Sequence, residues 1–428
     1  MSTALTLPAT IDPVRLRTRS AKAPAAFAAF TGLAVILFVI LGRDGTSTFS
    51  LASESDFFAL PQLAVPTRDA GTAAAVILVA LTIVSLEMTR RFRTVPLWLA
   101  SVFGIVFLAG FLTWASAGST LPVPGLLLGT VGLSVPLIFG ALGGVISEKV
   151  GVVNIAIEGQ LLAGAFSASI VSTITQQPVL GLIAAMLAGV AVSLVLAAFA
   201  IRYVVDQVIV GVVLNVLVIG LTSFIYSQSM AGDAAGLNTP VQFERIAIPV
   251  LSGIPLLGAV LFNQTVIVYL MYVTVAAVWW GLFRTKWGLR LRAVGEHPKA
   301  ADTVGINVAR TRFVNVSIAG AIAGLGGSYY TLDAVGLFGK EMTAGAGFIA
   351  LAAVIFGRWD PIRATLAALL FGFATNLQNV LGVIGSPVPS EFMLMLPYLV
   401  TILAVAGLVG RSRGPAAAGK PYQLDSNR

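Results

Sequence analysis

Six polar side chains set among apolar runs are the residues of this chain best placed to do chemistry: Asn154, Glu158, Asn215, Asn315, Asn376 and Gln378. An amide donates and accepts hydrogen bonds at once, which suits the hydroxyls of a sugar or the edge of a base. A passage for free cations or strong anions would instead show buried charge. A charged group at a bilayer centre costs about 2.5 to 3.5 kcal/mol on insertion scales, so it faces a cavity or marks function. Asn154 and Glu158 are four residues apart in GVVNIAIEG, which on a continuous helix places them on one face. Gly143, Gly144 and Gly151 beside them suit a broken or closely packed helix. Each group also has a structural reading. Glu158 could cap a helix or pair with Lys149, and an amide could be interhelical glue worth about 0.6 kcal/mol. Asn379 belongs to the same set, and Phe166, Tyr329, Tyr330 and Phe373 offer ring faces for stacking.

Other chemistries are poorly supplied. The chain has no cysteine and a single histidine, His297, so thiolate sites, cysteine nucleophiles and multi-histidine metal sites are excluded and no metal is expected. Acidic residues do not cluster as an interfacial membrane enzyme would need. No GxxxxGK[ST] phosphate loop occurs: Gly339–Lys340 is followed by Glu341, and Gly419–Lys420 by Pro421.

The elements that must position these groups are set by composition. With 57% hydrophobic residues, 10% charged and 44 glycines, the chain is solvated mainly by lipid. Its 428 residues fit an all-α polytopic membrane protein with roughly ten to twelve spans of about 20 residues, some of them broken or re-entrant. The net charge of +8 then reads as topology rather than as nucleic-acid binding.

Spans are expected at about 25–41, 70–88, 96–116, 125–146, 161–174, 179–201, 208–227, 265–283, 313–331, 364–380 and 392–409, with 348–356 too short to cross and read as a half-span. Every basic residue then falls inside except Arg43, Arg68, Arg245 and Lys340, which places both termini in the cytoplasm. The start reads as a retained anchor rather than a removable signal. The expected organisation is a basic arm (1–24, with Arg15, Arg17, Arg19 and Lys22), an N-terminal transmembrane extension (25–124), a core (125–410) and a cytoplasmic tail (411–428). Asp206 is expected to pair with Arg202, and Arg358, Asp360 and Arg363 to fix a tight turn with Pro361.

One cytoplasmic loop, 284–312, has its own design. Pro298 suits the first turn of a helix and Gly305 the position just past its end, which predicts a helix of roughly 10 Å over about 298–304. Ala300 and Ala301 give it a small-residue face, and Arg290, Arg292, Lys299, Arg310 and Arg312 surround it with charge suited to anionic lipid or an acidic partner. His297 reads as a helix-entry residue.

Three blocks carry a family resemblance: GVVNIAIEGQLLAGAF at 151–166, GEHPKAADTVGI at 295–306 and FIALAAVIFGRWDPIRATLAALLFGFATNLQ at 348–378. Over about Gly125 to Val409 the chain resembles the permease subunits of ATP-binding cassette importers. Within them it resembles the branched-chain amino acid, ribose and simple sugar permeases, and most of all the nucleoside-type branch. The resemblance implies that Gly295, Glu296, His297, Pro298, Lys299, Ala300, Ala301 and Gly305 form a coupling helix docked on an ATPase subunit. It also implies ATP and Mg used by that partner, no cofactor on this chain, a second and related permease subunit, and an external solute-binding protein. Nucleosides, otherwise simple sugars, ribose or branched-chain amino acids, are the implied cargo. An ion-coupled secondary transporter is the alternative, for which Glu158 would have to serve as a relay.

Overall fold

The computed structural model of the chain describes residues 22–52, 56–385, 388, 389, 391, 392, 395 and 414–422. The basic arm and nearly all of the expected span at 392–409 lie outside them. Two compact units divide the chain, one of residues 1–48 and 63–121 and one of 49–62 and 122–428.

The first unit contains helices α1 (Lys22–Ala34), α2 (Thr67–Arg90) and α3 (Leu97–Ala115). A π-helical turn, Val35–Ile40, lengthens α1 enough to cross a bilayer. Strands β1 (Thr46–Ser50), β2 (Leu63–Pro66) and β3 (Thr120–Pro122) form a sheet of order β2-β1-β3. Phe27 stacks on Phe103 with ring centroids 4.2 Å apart, and the Ser47 hydroxyl donates to the Thr113 carbonyl at 2.6 Å.

The second unit is built around α4 (Val123–Lys149), α5 (Ile157–Thr175), α6 (Pro178–Ala197) and α7 (Gln207–Ile225). Two short helices, α8 (Ala234–Leu237) and α9 (Leu257–Leu261), and a two-stranded ribbon of β4 (Ile246–Ala247) and β5 (Asn263–Gln264) follow in the long expected outer loop. Next come α10 (Val266–Arg284), α11 (Lys286–Glu296), α12 (Pro298–Thr303), α13 (Val308–Tyr329), α14 (Ala346–Phe356) and α15 (Pro361–Val383). Side chains fix several starts by accepting from backbone N–H groups: Asp206 for α7, Thr285 for α11, Asn307 for α13 and Asp360 for α15. Asp206 is therefore an N-cap rather than the expected partner of Arg202. Asp360 together with Pro361 makes the expected tight turn, in which Arg358 and Trp359 both have positive φ.

Among the described residues, nine helices are long and apolar enough to cross a membrane. The expectation was roughly ten to twelve spans. Helix α13 is absent from the nine although its 22 residues reach about 33 Å. Its C-terminal half is buried against α4, α5 and α6, so that half faces protein and does not need the apolar surface that lipid demands. Its glycines permit that enclosure. A methyl group added at Gly324 would meet the Ala185 carbonyl of α6, one at Gly320 the Ser193 hydroxyl, and one at Gly327 the Leu161 carbonyl of α5. The expected half-span is α14, whose 11 residues cover about 16 Å, half of a hydrocarbon core.

Candidate functional site

Polar groups in the second unit gather at two places, a break between α4 and α5 and the basic hairpin 284–312. The break is the seven-residue connection 150–156 between α4 and α5, opened by Gly151 at φ +95°. Buried irregular backbone requires substitutes for the lost helical hydrogen bonds. Three polar side chains supply them. The Ser147 hydroxyl donates to the Val152 carbonyl at 2.8 Å, and the Gln207 amide oxygen accepts from Val153 N–H at 2.8 Å. Asn215 on α7 bridges the exit, donating to the Ile155 carbonyl at 2.9 Å and accepting from Gly159 N–H at 2.8 Å.

This geometry corrects the helical pairing of Asn154 with Glu158. Asn154 lies in the break, outside any helix, and exchanges hydrogen bonds with Gln160, which also reaches Ser193 at 3.0 Å. Glu158 belongs to the first turn of α5 and is 4% exposed. Its carboxylate accepts from the Thr343 hydroxyl at 2.6 Å, Gly345 N–H at 2.9 Å and Gly347 N–H at 2.6 Å. It therefore does cap a helix, but the helix is α14, and Lys149 is not its partner. The starts of α5 and α14 converge there, and two positive dipole ends favour the negative charge. Gly347 has to be glycine, because a methyl group there would strike the Glu158 backbone.

Two further amides also serve packing. Asn315 accepts from the Trp287 indole at 2.9 Å and donates to the Thr311 carbonyl at 2.7 Å, which ties α11 to α13. Asn376 donates to the Leu126 carbonyl at 2.7 Å and fills the space above Gly129, which joins α15 to α4. Gln378 is half-buried and has no hydrogen bond among the described residues, while Asn379 is exposed. Phe166 meets Phe338 edge-to-face at 5.1 Å. Sequence reasoning missed Gln160 and Gln207, and their signal was the one used for the others, an amide beside an apolar run.

In the hairpin, α11 buries Leu291, Val294 and Gly295 and exposes Arg290. Helix α12 follows with Pro298 in its first turn and ends at Gly305, φ +83°. The turn is closed by Gly305 N–H to the Asp302 carbonyl at 2.9 Å and Ile306 N–H to the Ala301 carbonyl at 3.0 Å. Only a residue tolerant of left-handed backbone suits that position.

The expected small-residue face divides. Ala300 is exposed, but Ala301 is buried, and Gly295 is packed on the Lys149 carbonyl at the end of α4. Glu296, His297, Lys299, Ala300 and Gly305 remain on the surface, with Pro298 half-covered. The division has a simple cause: adjacent residues of a helix point about 100° apart, so with Ala301 packed inward Ala300 is turned to the surface. Beside the hairpin is a cavity of about 650 Å³ lined by Trp287, Arg290, Gly305, Asn307, Arg310 and Asn315.

A bundle of apolar helices of membrane-crossing length, with a half-length helix locked among them and one ordered basic hairpin at its end, is the build of a multi-pass membrane protein. Comparison places it more closely. Residues 126–405 match the family described as branched-chain amino acid transport system / permease component, and the chain belongs to that family. It is 44% identical over 306 residues to the guanosine ABC transporter permease protein NupQ of Bacillus subtilis, covering 68% of this chain and 94% of that one. It is 38% identical over 298 residues to the nucleoside ABC transporter permease protein NupC of Lactococcus lactis, covering 68% and 93%. The nucleoside ABC transporter permease protein NupB of the same organism is 28% identical over 246 residues, covering 55% and 67%. No solved structure matches the chain. The chain is thus an importer permease, resident as a multi-pass protein in the cell's inner or plasma membrane.

Proposed function

We propose that this permease carries nucleosides into the cytoplasm by alternating access, driven by ATP hydrolysis on a separate subunit that docks on the hairpin 284–312. The observation that carries the coupling half of this reading is α12, a six-residue helix between Pro298 and Gly305 that exposes Lys299 and Ala300. Nothing in the chain resembles a phosphate loop, so ATP and Mg belong to the partner. The two nucleoside-type relatives of Lactococcus lactis, NupC and NupB, are separate permease chains. They support a heterodimer of this chain with a related second permease, supplied by an external solute-binding protein. Surrounding lipid is the remaining partner.

The core at 125–410 carries transport, the extension at 25–124 precedes it, and the arm at 1–24 and tail at 411–428 lie inside. Within the core, Gln378 is the amide free to meet cargo, because Asn154, Asn215, Asn315 and Asn376 are engaged in holding helices. Glu158 acts as the lock of α14 rather than as an ion relay, since three donors already hold its carboxylate. That argues against an ion-coupled secondary transporter.

The test is uptake of radiolabelled guanosine by proteoliposomes containing this chain, its second permease, the ATPase and the binding protein. Uptake should need ATP, be competed by other nucleosides and not by ribose, glucose or leucine, and vanish in Ala300→Arg together with ATPase binding. ATP-independent uptake would sink the coupling reading, and competition by a sugar or leucine would replace the cargo.

A further inference from the structure

Residues 414–422 return to the cytoplasmic face of the second unit and touch four of its elements in turn. Gly414 lies beside the Trp359 ring, in the turn before α15. Ala416 N–H reaches a Glu296 carboxylate oxygen at 3.3 Å, and Ala417 N–H donates to the Gly295 carbonyl at 2.9 Å. The Ala417 side chain is buried, its carbonyl lies beside Gly151, and Gly419 lies beside Val153, so the segment also rests on the α4–α5 break. Finally Arg312, in the first turns of α13, donates from Nη1 to the Lys420 carbonyl at 3.1 Å, and Tyr422 packs on the core.

The segment is stiff for its length. Pro415 and Pro421 fix their own φ, and the peptide between them is folded by Ala418 N–H to the Pro415 carbonyl at 3.0 Å and Lys420 N–H to the Ala417 carbonyl at 3.1 Å. Gly295, inside the docking hairpin and next to the exposed Glu296 and His297, is thereby held from two sides: α4 packs on it through Lys149, and Ala417 binds its carbonyl. Helix α12 is too short to transmit much force through its own contacts. Its one buried side chain is Ala301.

We propose that residues 414–422 are a brace that carries displacement of the coupling hairpin to the break at 150–156, and that Arg312 is its positioning residue. The inference rests on the assignment of 284–312 as the site of ATPase docking. Force applied at α12 reaches Gly295 and Glu296, crosses the brace through the backbone of Ala416 and Ala417, and arrives at Gly151 and Val153. That break is where Gln207 and Asn215 grip the chain and where α5 begins. A rigid-body switch needs such a path, because packed helices pass motion on only through contacts that do not yield.

The experiment uses the complete complex in proteoliposomes, with guanosine as the probe and both uptake and ATP hydrolysis measured. Replacing 414–422 by a Gly-Ser linker of equal length should leave ATPase binding and hydrolysis intact while guanosine moved per ATP falls roughly tenfold, a typical coupling energy. Arg312→Gln should move the same ratio in the same direction, and Arg312→Lys should restore part of it, because an ammonium can still donate to the Lys420 carbonyl. An unaltered transport-to-hydrolysis ratio in the linker variant would overturn the proposal. Should the linker variant fail to assemble, the Arg312 pair decides alone. ATPase binding that survives Ala300→Arg would refute the docking assignment instead, a result distinct from either outcome for the brace.

Discussion

Glu158 and Arg312 are both charged, both buried in the second unit, and held in opposite ways. Glu158, 4% exposed, has three donors on one carboxylate and two helix starts pointing at it. Arg312, 1% exposed, has one backbone carbonyl, while its Nε and Nη2 have no hydrogen-bond partner among the described residues, and no carboxylate there lies within ion-pair distance. Burial of a charge is costly unless it is paired and hydrogen-bonded. The carboxylate is therefore fully held by its region, whereas the burial of the guanidinium is compensated by fewer hydrogen bonds. Breaking such a group's surroundings and replacing it by an apolar side chain are expected to have different costs.

The comparison can be broken by substitution. Glu158→Ala should give the largest effect, since it strands a hydroxyl and two backbone N–H groups at the start of α14; a loss of about 3 kcal/mol or more is expected. The unfolding temperature of the purified protein in detergent measures it, with Glu158→Gln losing less, and a neutral Glu158→Ala would mean that α14 is not locked. Asn215→Leu comes next. It removes partners from Gly159 N–H and the Ile155 carbonyl, at about 1 to 2 kcal/mol. Hydrogen exchange at 155–159 should rise with it, and unchanged exchange would show that the break holds itself.

Gly305→Ala should cost about 1 kcal/mol, from forcing a side chain into left-handed backbone. The loss should appear as local fraying of α12 in hydrogen exchange rather than as global unfolding. Smallest of all is Arg312→Met. Replacing an unpaired buried cation by an apolar chain of similar reach should leave the unfolding temperature unchanged or raise it. A loss as large as that of Glu158→Ala would erase the distinction between the two charges.

Much of the architecture was legible in the chain because lipid imposes length and apolarity on each crossing helix. The expected spans at 70–88 and 96–116 fall within α2 and α3, or differ from them by a residue or so at the ends. The hairpin was readable for a local reason: Pro298 and Gly305 encode its start and stop whatever surrounds them. The amides were not readable in the same way. Asn215 and Asn376 look identical in sequence whether they face cargo or a broken backbone, and only the position of the break at 150–156 decides. Gly151 signalled a break but not its length, so Asn154 and Glu158 were drawn on one helix when the chain between them is irregular. Ala301 was misplaced because an alternation of two residues cannot be resolved without knowing what α12 rests on.

Helix α13 carries a last consequence, one for how the protein is made. Its sequence holds Arg310, Arg312, Asn315 and a run of glycines and serines, and it falls outside the set of helices apolar enough to cross alone. Partition into lipid during synthesis is governed by the apolarity of the segment itself. Helix α13 therefore gains less from lipid alone than its neighbours do, and α4, α5 and α6 supply the protein surfaces around its buried side. All three precede α13 along the chain, so their order is also a workable order of assembly: the receptacle is synthesised before the more polar helix that fills it.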